Sequence, residues 1–96
     1  MLKTTKFDIY KHLKTEKDIK EYLEVVFENY SDEPDFITDA LGVAAKARGM
    51  LKTAQETGLS RVGLYRSLTK GGDPKISTVS KVAHTLGYRL ALVPLR

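Results

Sequence analysis

The sequence predicts an all-α fold of five helices closed by a short C-terminal β-strand, and three stretches carry that expectation. Thr53–Leu68 has the layout of two short helices meeting at one glycine, a helix-turn-helix. Thr15–Tyr30 repeats its apolar residues at helical spacing, and Tyr88–Val93 alternates weakly and is rich in strand formers. Ninety-six residues with 42% hydrophobic content make one domain with a small core, which a partner or a second copy would help to stabilise.

Taken in order, Met1–Lys14 has no clean period and reads as an arm, with Phe7, Ile9 and Tyr10 able to pack locally as a short extended piece. The first helix opens at a capping box, Thr15 with Asp18, and places Ile19, Tyr22, Leu23, Val26, Phe27 and Tyr30 on one stripe. Its outer side carries Glu21, Glu24 and Glu28 with Lys17 and Lys20. Pro34 disfavours helix at Glu33 but suits the first turn of a second helix, from about Asp35 to Arg48, which Gly49 ends. Residues 1–34 therefore read as arm plus amphipathic helix, and residues 35–96 as the helix-turn-helix domain with its strand.

Met50–Thr57 is expected as the first helix of the motif, with Leu51 and Ala54 inward and Lys52 and Gln55 outward. Gly58 takes the positive φ that ends it, and Ser60 caps the next helix, whose buried side is Leu64 and Leu68 with Leu59 just before it. Arg61, Val62, Tyr65 and Arg66 are then left outward, as candidates to read base edges in a major groove. Lys70–Lys75, Lys-Gly-Gly-Asp-Pro-Lys, is a turn; without a following Gly-Lys-Ser/Thr or a preceding strand it is no phosphate-binding loop. Ser77 is read as the cap of a fifth helix with Val79, Val82, Ala83 and Leu86 inward, stopped by Gly87. A single strand at Tyr88–Val93 needs a partner, either the N-terminal arm or the same strand of a second copy in a two-fold dimer.

Charge is divided unevenly. Residues 1–34 hold six Lys against eight acids, and residues 35–96 hold ten Lys or Arg against four, so the positive excess lies with the helix-turn-helix. Lys52, Ser60, Lys70 and Lys75 are the candidate phosphate contacts around the motif. The absence of cysteine excludes disulfides, thiolate metal sites and cysteine nucleophiles. His12 and His84 have no metal-ligand spacing, no Ser/His/Asp constellation is supported, and no cofactor loop occurs; neither an enzyme, a metal nor a cofactor is expected. No apolar run reaches membrane-spanning length and lysines interrupt the first residues, so a cytoplasmic protein is expected.

On these residues the chain resembles the addiction-module antidote proteins with a Cro/CI-type helix-turn-helix, the HigA-like antitoxins. The resemblance runs from about Asp18 to Val93 and rests on Asp18–Leu23, Ala44–Met50, Thr57–Leu68, Thr78–Val82 and Leu86-Gly87. It implies a lambda-repressor-like domain that binds double-stranded operator DNA as a homodimer, represses its own operon, and neutralises a basic RelE/ParE-like toxin. Base contacts would come from Arg61, Val62, Tyr65 and Arg66, and the acidic, aromatic first helix offers Tyr22, Glu24, Phe27 and Glu28 to the toxin; if its apolar stripe is instead core, with only the glutamates outward, the arm Met1–Lys14 is the alternative toxin-binding segment. The lead-in Met1–Lys17 is longer and richer in lysine than that pattern. Two other readings stand beside it: a free-standing helix-turn-helix regulator with no toxin, and an interaction adaptor that has lost DNA binding.

Overall fold

In the computed structural model, which describes residues 9–95, five α-helices follow a single 3-10 turn at Ile9–Lys11. They are α1 Glu16–Asn29, α2 Pro34–Arg48, α3 Met50–Thr57, α4 Arg61–Ser67 and α5 Ile76–Thr85. The expected extended piece of the arm lies partly outside these residues; within them Ile9 and Tyr10 are in the 3-10 turn, and Leu13 is buried against α1 and α2.

The capping box of α1 is closed in both directions. The Asp18 N–H donates to Thr15 Oγ1 at 3.1 Å, and the Asp18 carboxylate accepts from the Lys14 and Thr15 amides at 3.1 and 3.2 Å. These amides, Lys14 first, hold the Asp18 carboxyl below its ordinary range. Ile19 and Leu23 are buried, Tyr22, Val26 and Phe27 half-buried, and Tyr30 sets its ring edge-on to Phe36 at 4.7 Å.

Helix α2 carries the centre of the core. Ala40, Leu41, Gly42, Ala44 and Ala45 are all buried, and small residues let neighbouring elements approach the backbone closely. At Gly42 the approach is at its limit, because a Cβ there would run into the backbone carbonyl of Leu68 just after α4. Two clusters result. Leu41, Ala45, Met50, Leu64, Leu68 and Val82 form one, and Leu13, Ile19, Leu23, Ala40 and Ala44 the other; Phe27 and Leu86 pack against both.

Gly49, at φ 117°, ends α2 and starts α3. This short junction sets the rotation of α3 and overturns the expectation for Leu51, which is 56% exposed. Met50 enters the core directly after the junction, so the inward stripe is Met50, Thr53 and Ala54, and Leu51 lies beside Lys52 on the outer side. Thr53 is fully buried, and its hydroxyl donates to the Gly49 carbonyl at 3.0 Å.

Helix α5 begins before Ser77. Lys75 occupies the N-cap position without a side-chain cap, and its carbonyl accepts from the Val79 amide at 3.0 Å, so Ser77 is already in the first turn. At the other end Gly87 (φ 89°) donates to His84 O and Tyr88 donates to Ala83 O, the paired bonds of a Schellman motif.

The C-terminal strand is absent among the described residues. The Schellman bonds turn the chain back at Tyr88, whose ring meets Phe27 edge-on at 5.3 Å, and residues 88–95 follow without regular structure. Extended backbone is stable only where a second strand completes its hydrogen bonds, and the described residues offer none. Leu90, Leu92, Val93 and Leu95 are exposed, Leu92 completely.

Candidate nucleic-acid interface

The segment between α3 and α4 is three residues long and is held by local hydrogen bonds. Gly58 (φ 75°) donates to Ala54 O, Thr57 Oγ1 donates to Thr53 O at 2.8 Å, and the Leu59 amide donates to Thr57 Oγ1 at 3.2 Å. Leu59 is half-buried and packs on the core. Ser60 then accepts the Gly63 amide at 3.0 Å through its hydroxyl, as its position before α4 predicts. The direction of α4 is fixed from inside by Leu64 and from its end by Leu68, both 1% exposed.

With Leu64 inward, helical geometry leaves Val62 and Arg66 one turn apart on the far side and Arg61 and Tyr65 one turn apart beside them. All four are exposed, Val62 at 67% and Tyr65 at 46%. The structure thus brings the four candidate base-reading residues onto the outward surface of one capped helix. That helix contains no acid.

The acid of α3 is Glu56, and it is held by Arg48, whose guanidinium donates to both carboxylate oxygens at 2.7 and 3.3 Å. The bond from Arg48 holds the Glu56 carboxyl below its ordinary range. Local negative charge next to the motif is therefore offset. Lys52 on α3 and Lys75 before α5 are exposed. Ser60 is exposed but spends an acceptor site on the cap, leaving its O–H to donate. Lys70 stands apart: its Nζ lies over the Phe36 ring at 5.3 Å, next to the Tyr30–Phe36 pair where α1 gives way to α2.

One cation at this surface was missed from the sequence. Lys46, exposed near the end of α2, holds its Nζ 5.5 Å from the centroid of the Tyr65 ring. Its signal in the sequence is its position directly after Ala44-Ala45: two buried alanines bring that turn of α2 close to the rest of the core, and the next residue emerges at the edge of the contact.

The candidate toxin-contact residues do not share one face. Glu24 and Glu28 are exposed, one turn apart on the outer side of α1. Phe27 instead reaches both core clusters and Tyr88. Tyr22 lines a depression with Val26, Tyr30, Phe36 and Asp39, and burial, then the Asp39 charge, pushes its phenol above the ordinary range. His12 and His84 are both exposed, and among the described residues no group of three or more His, Cys, Asp or Glu is placed to hold a metal. No helix of the described residues is long and apolar enough to cross a membrane.

Set beside known proteins, residues 3–94 match a family model described as "Probable addiction module antidote protein". An uncharacterized protein of Haemophilus influenzae is 40% identical over 83 residues, which span 86% of this chain and 84% of that protein. No solved structure matches.

Proposed function

The chain belongs to the addiction module antidote family, and from that premise we propose that it is the DNA-binding antitoxin of a type II toxin-antitoxin module, acting in the cytoplasm. In this reading α3 and α4 are a helix-turn-helix of lambda-repressor-like type, and α4 enters the major groove of operator DNA to repress the module's own operon. The observation that carries it is the outward face of α4: Arg61, Val62, Tyr65 and Arg66 exposed together on an acid-free helix, with the one acid of α3, Glu56, paired to Arg48. Arg61 and Arg66 suit bidentate contacts to guanine O6 and N7, while Lys52, Lys75, Ser60 and, from the side of Phe36, Lys70 contact phosphates.

A homodimer follows from the reach of one helix. A single recognition helix covers too few base pairs for an operator, and two copies reading half-sites about one helical turn apart, roughly 34 Å, double the contacts. The exposed Leu90, Leu92, Val93 and Leu95 are apolar surface that a second copy would remove from water. The antitoxin role uses the opposite sign of charge. Glu24 and Glu28 on the outer side of α1 meet a basic RelE/ParE-like toxin, with Tyr22 in its neighbouring depression as the aromatic contact; Phe27 acts from below by fixing α1 on the core.

Two measurements test the reading. Fluorescence anisotropy with a duplex from upstream of the protein's own gene should show tight binding that weakens steeply as salt is raised, as counterion release requires. Equal affinity for that duplex and a scrambled one would remove operator recognition. Co-expression with the product of the adjacent gene should yield a stable complex, weakened by Glu24→Lys with Glu28→Lys; an unweakened complex would move the toxin site off α1.

A further inference from the structure

We propose that Lys46 is a positioning residue for Tyr65, and that the two act as a unit on one base pair. The inference rests on α4 being the recognition helix. It starts from the ammonium of Lys46 lying 5.5 Å from the centroid of the Tyr65 ring, a contact between two different helices.

Both ends of that contact are anchored. Lys46 follows Ala45, which is fully buried, and Tyr65 follows Leu64, which is 1% exposed; Ala45 and Leu64 belong to the same core cluster. The two backbones are thus fixed relative to one another by packing directly beneath the pair. Above it, a half-exposed tyrosine on a short helix would otherwise sample more than one side-chain rotamer, and a cation over one ring face favours the rotamer that keeps the ring beneath it. Tyr65 keeps 46% of its surface exposed beside this contact, and Arg61 projects one turn earlier on α4.

Lys46 differs in this from Lys52 and Lys75, for which the expected action is on phosphate alone. An ammonium held against a ring that touches a base should influence which base is preferred. A free lysine near the backbone should not.

The test uses the full chain, the duplex that the wild type prefers, and a set of duplexes with single base-pair changes. Lys46→Met keeps a long apolar stem but loses the charge, Lys46→Arg keeps the cation, and Tyr65→Leu removes the ring. Lys46→Met and Tyr65→Leu should each lose discrimination at the same base pair, Lys46→Met by about two- to five-fold, as expected for an exposed cation–ring contact. Lys46→Arg should restore it, and the double variant should lose no more than the worse single one. Without DNA, the ε-methylene protons of Lys46 should be shifted upfield by the ring in the wild type and return to ordinary positions in Tyr65→Leu. Even weakening across all duplexes, additive with Tyr65→Leu, would make Lys46 a phosphate contact and overturn the proposal, as would unshifted ε protons. A wild type that shows the shift but prefers no duplex would sink the DNA reading and, with it, the role assigned to the pair.

Discussion

Replacing Gly42 by alanine should destabilise the protein, although a helix interior ordinarily gains from that change. In an exposed helix Gly→Ala is worth about 1 kcal/mol in favour of alanine. Gly42 lies in α2, so the same gain applies to the backbone. Against it stands the added methyl, which would sit inside contact distance of the Leu68 carbonyl, carbon and Cβ. The obstacle is mainly backbone, not the tip of a flexible side chain, so α2 and the end of α4 have to separate. Overpacking of a close-packed interior costs about 1–3 kcal/mol, and a methyl against a main-chain carbonyl belongs at the upper end. The net loss is then about 2 kcal/mol, or a fall in Tm of roughly 8–16 °C for a domain of this size. Urea denaturation followed by circular dichroism reads it directly, as a lower midpoint at unchanged slope. Because Leu68 anchors the end of α4, the variant should also bind operator DNA less well where it remains folded. A Gly42→Ala protein as stable as the wild type, or more so, would show that α2 and Leu68 are not as close as described and refute the reasoning.

Ser60→Ala removes the acceptor for the Gly63 amide and should cost about 1 kcal/mol, with Ser60→Asp retaining most of the stability; no loss in a thermal melt would mean the cap is idle. The Tyr88 hydroxyl is buried without a hydrogen-bond partner among the described residues, and burial, then the Glu24 charge, raises its pKa, so Tyr88→Phe should be neutral or stabilising. A loss above 1 kcal/mol in that variant would reveal a partner for the hydroxyl. Asp18 and Glu56 both have lowered pKa values in the fold, so the stability they contribute is full above the ordinary carboxylate range and disappears as pH falls through their lowered values. Acid titration should therefore show less loss below pH of about 4 in Asp18→Asn and Glu56→Gln than in the wild type; identical acid profiles would contradict the assigned bonds.

Much of the fold is legible in the residues because its devices are local. The Thr15–Asp18 box, the positive φ of Gly58 and the Ser60 cap depend on residues within three or four positions of each other, and all three form as expected. The outward placement of Arg61, Val62, Tyr65 and Arg66 follows once Leu64 and Leu68 define the inward side. What misleads is register set at a distance. Leu51 looks like core by hydrophobicity, but the junction at Gly49 sends Met50 inward and turns Leu51 away. Ser77 looks like a cap, but α5 has already started at Ile76. Strand composition at Tyr88–Val93 yields no strand, since pairing needs a second strand that composition does not specify. Gly42 and Lys46 act through tertiary contacts with Leu68 and Tyr65, more than eighteen residues further along; Ala44-Ala45 marks where Lys46 emerges, but no local pattern names either partner.

The central claim is that α4 reads bases while the lysines around it hold the backbone, and the sharpest measurement compares Arg66→Ala with Lys52→Ala. Each variant is titrated against the preferred duplex and against every single base-pair substitution of one half-site, by anisotropy at two salt concentrations. Lys52→Ala should weaken binding to all duplexes by a similar factor and lower the salt slope by about one, the signature of one lost phosphate contact. Arg66→Ala should flatten the preference at one base pair per half-site, removing roughly 1–3 kcal/mol of discrimination there and leaving the other positions unchanged. An Arg66→Ala protein that binds more weakly but keeps the wild-type preference at every position would contradict the account, because α4 would then be touching only the backbone.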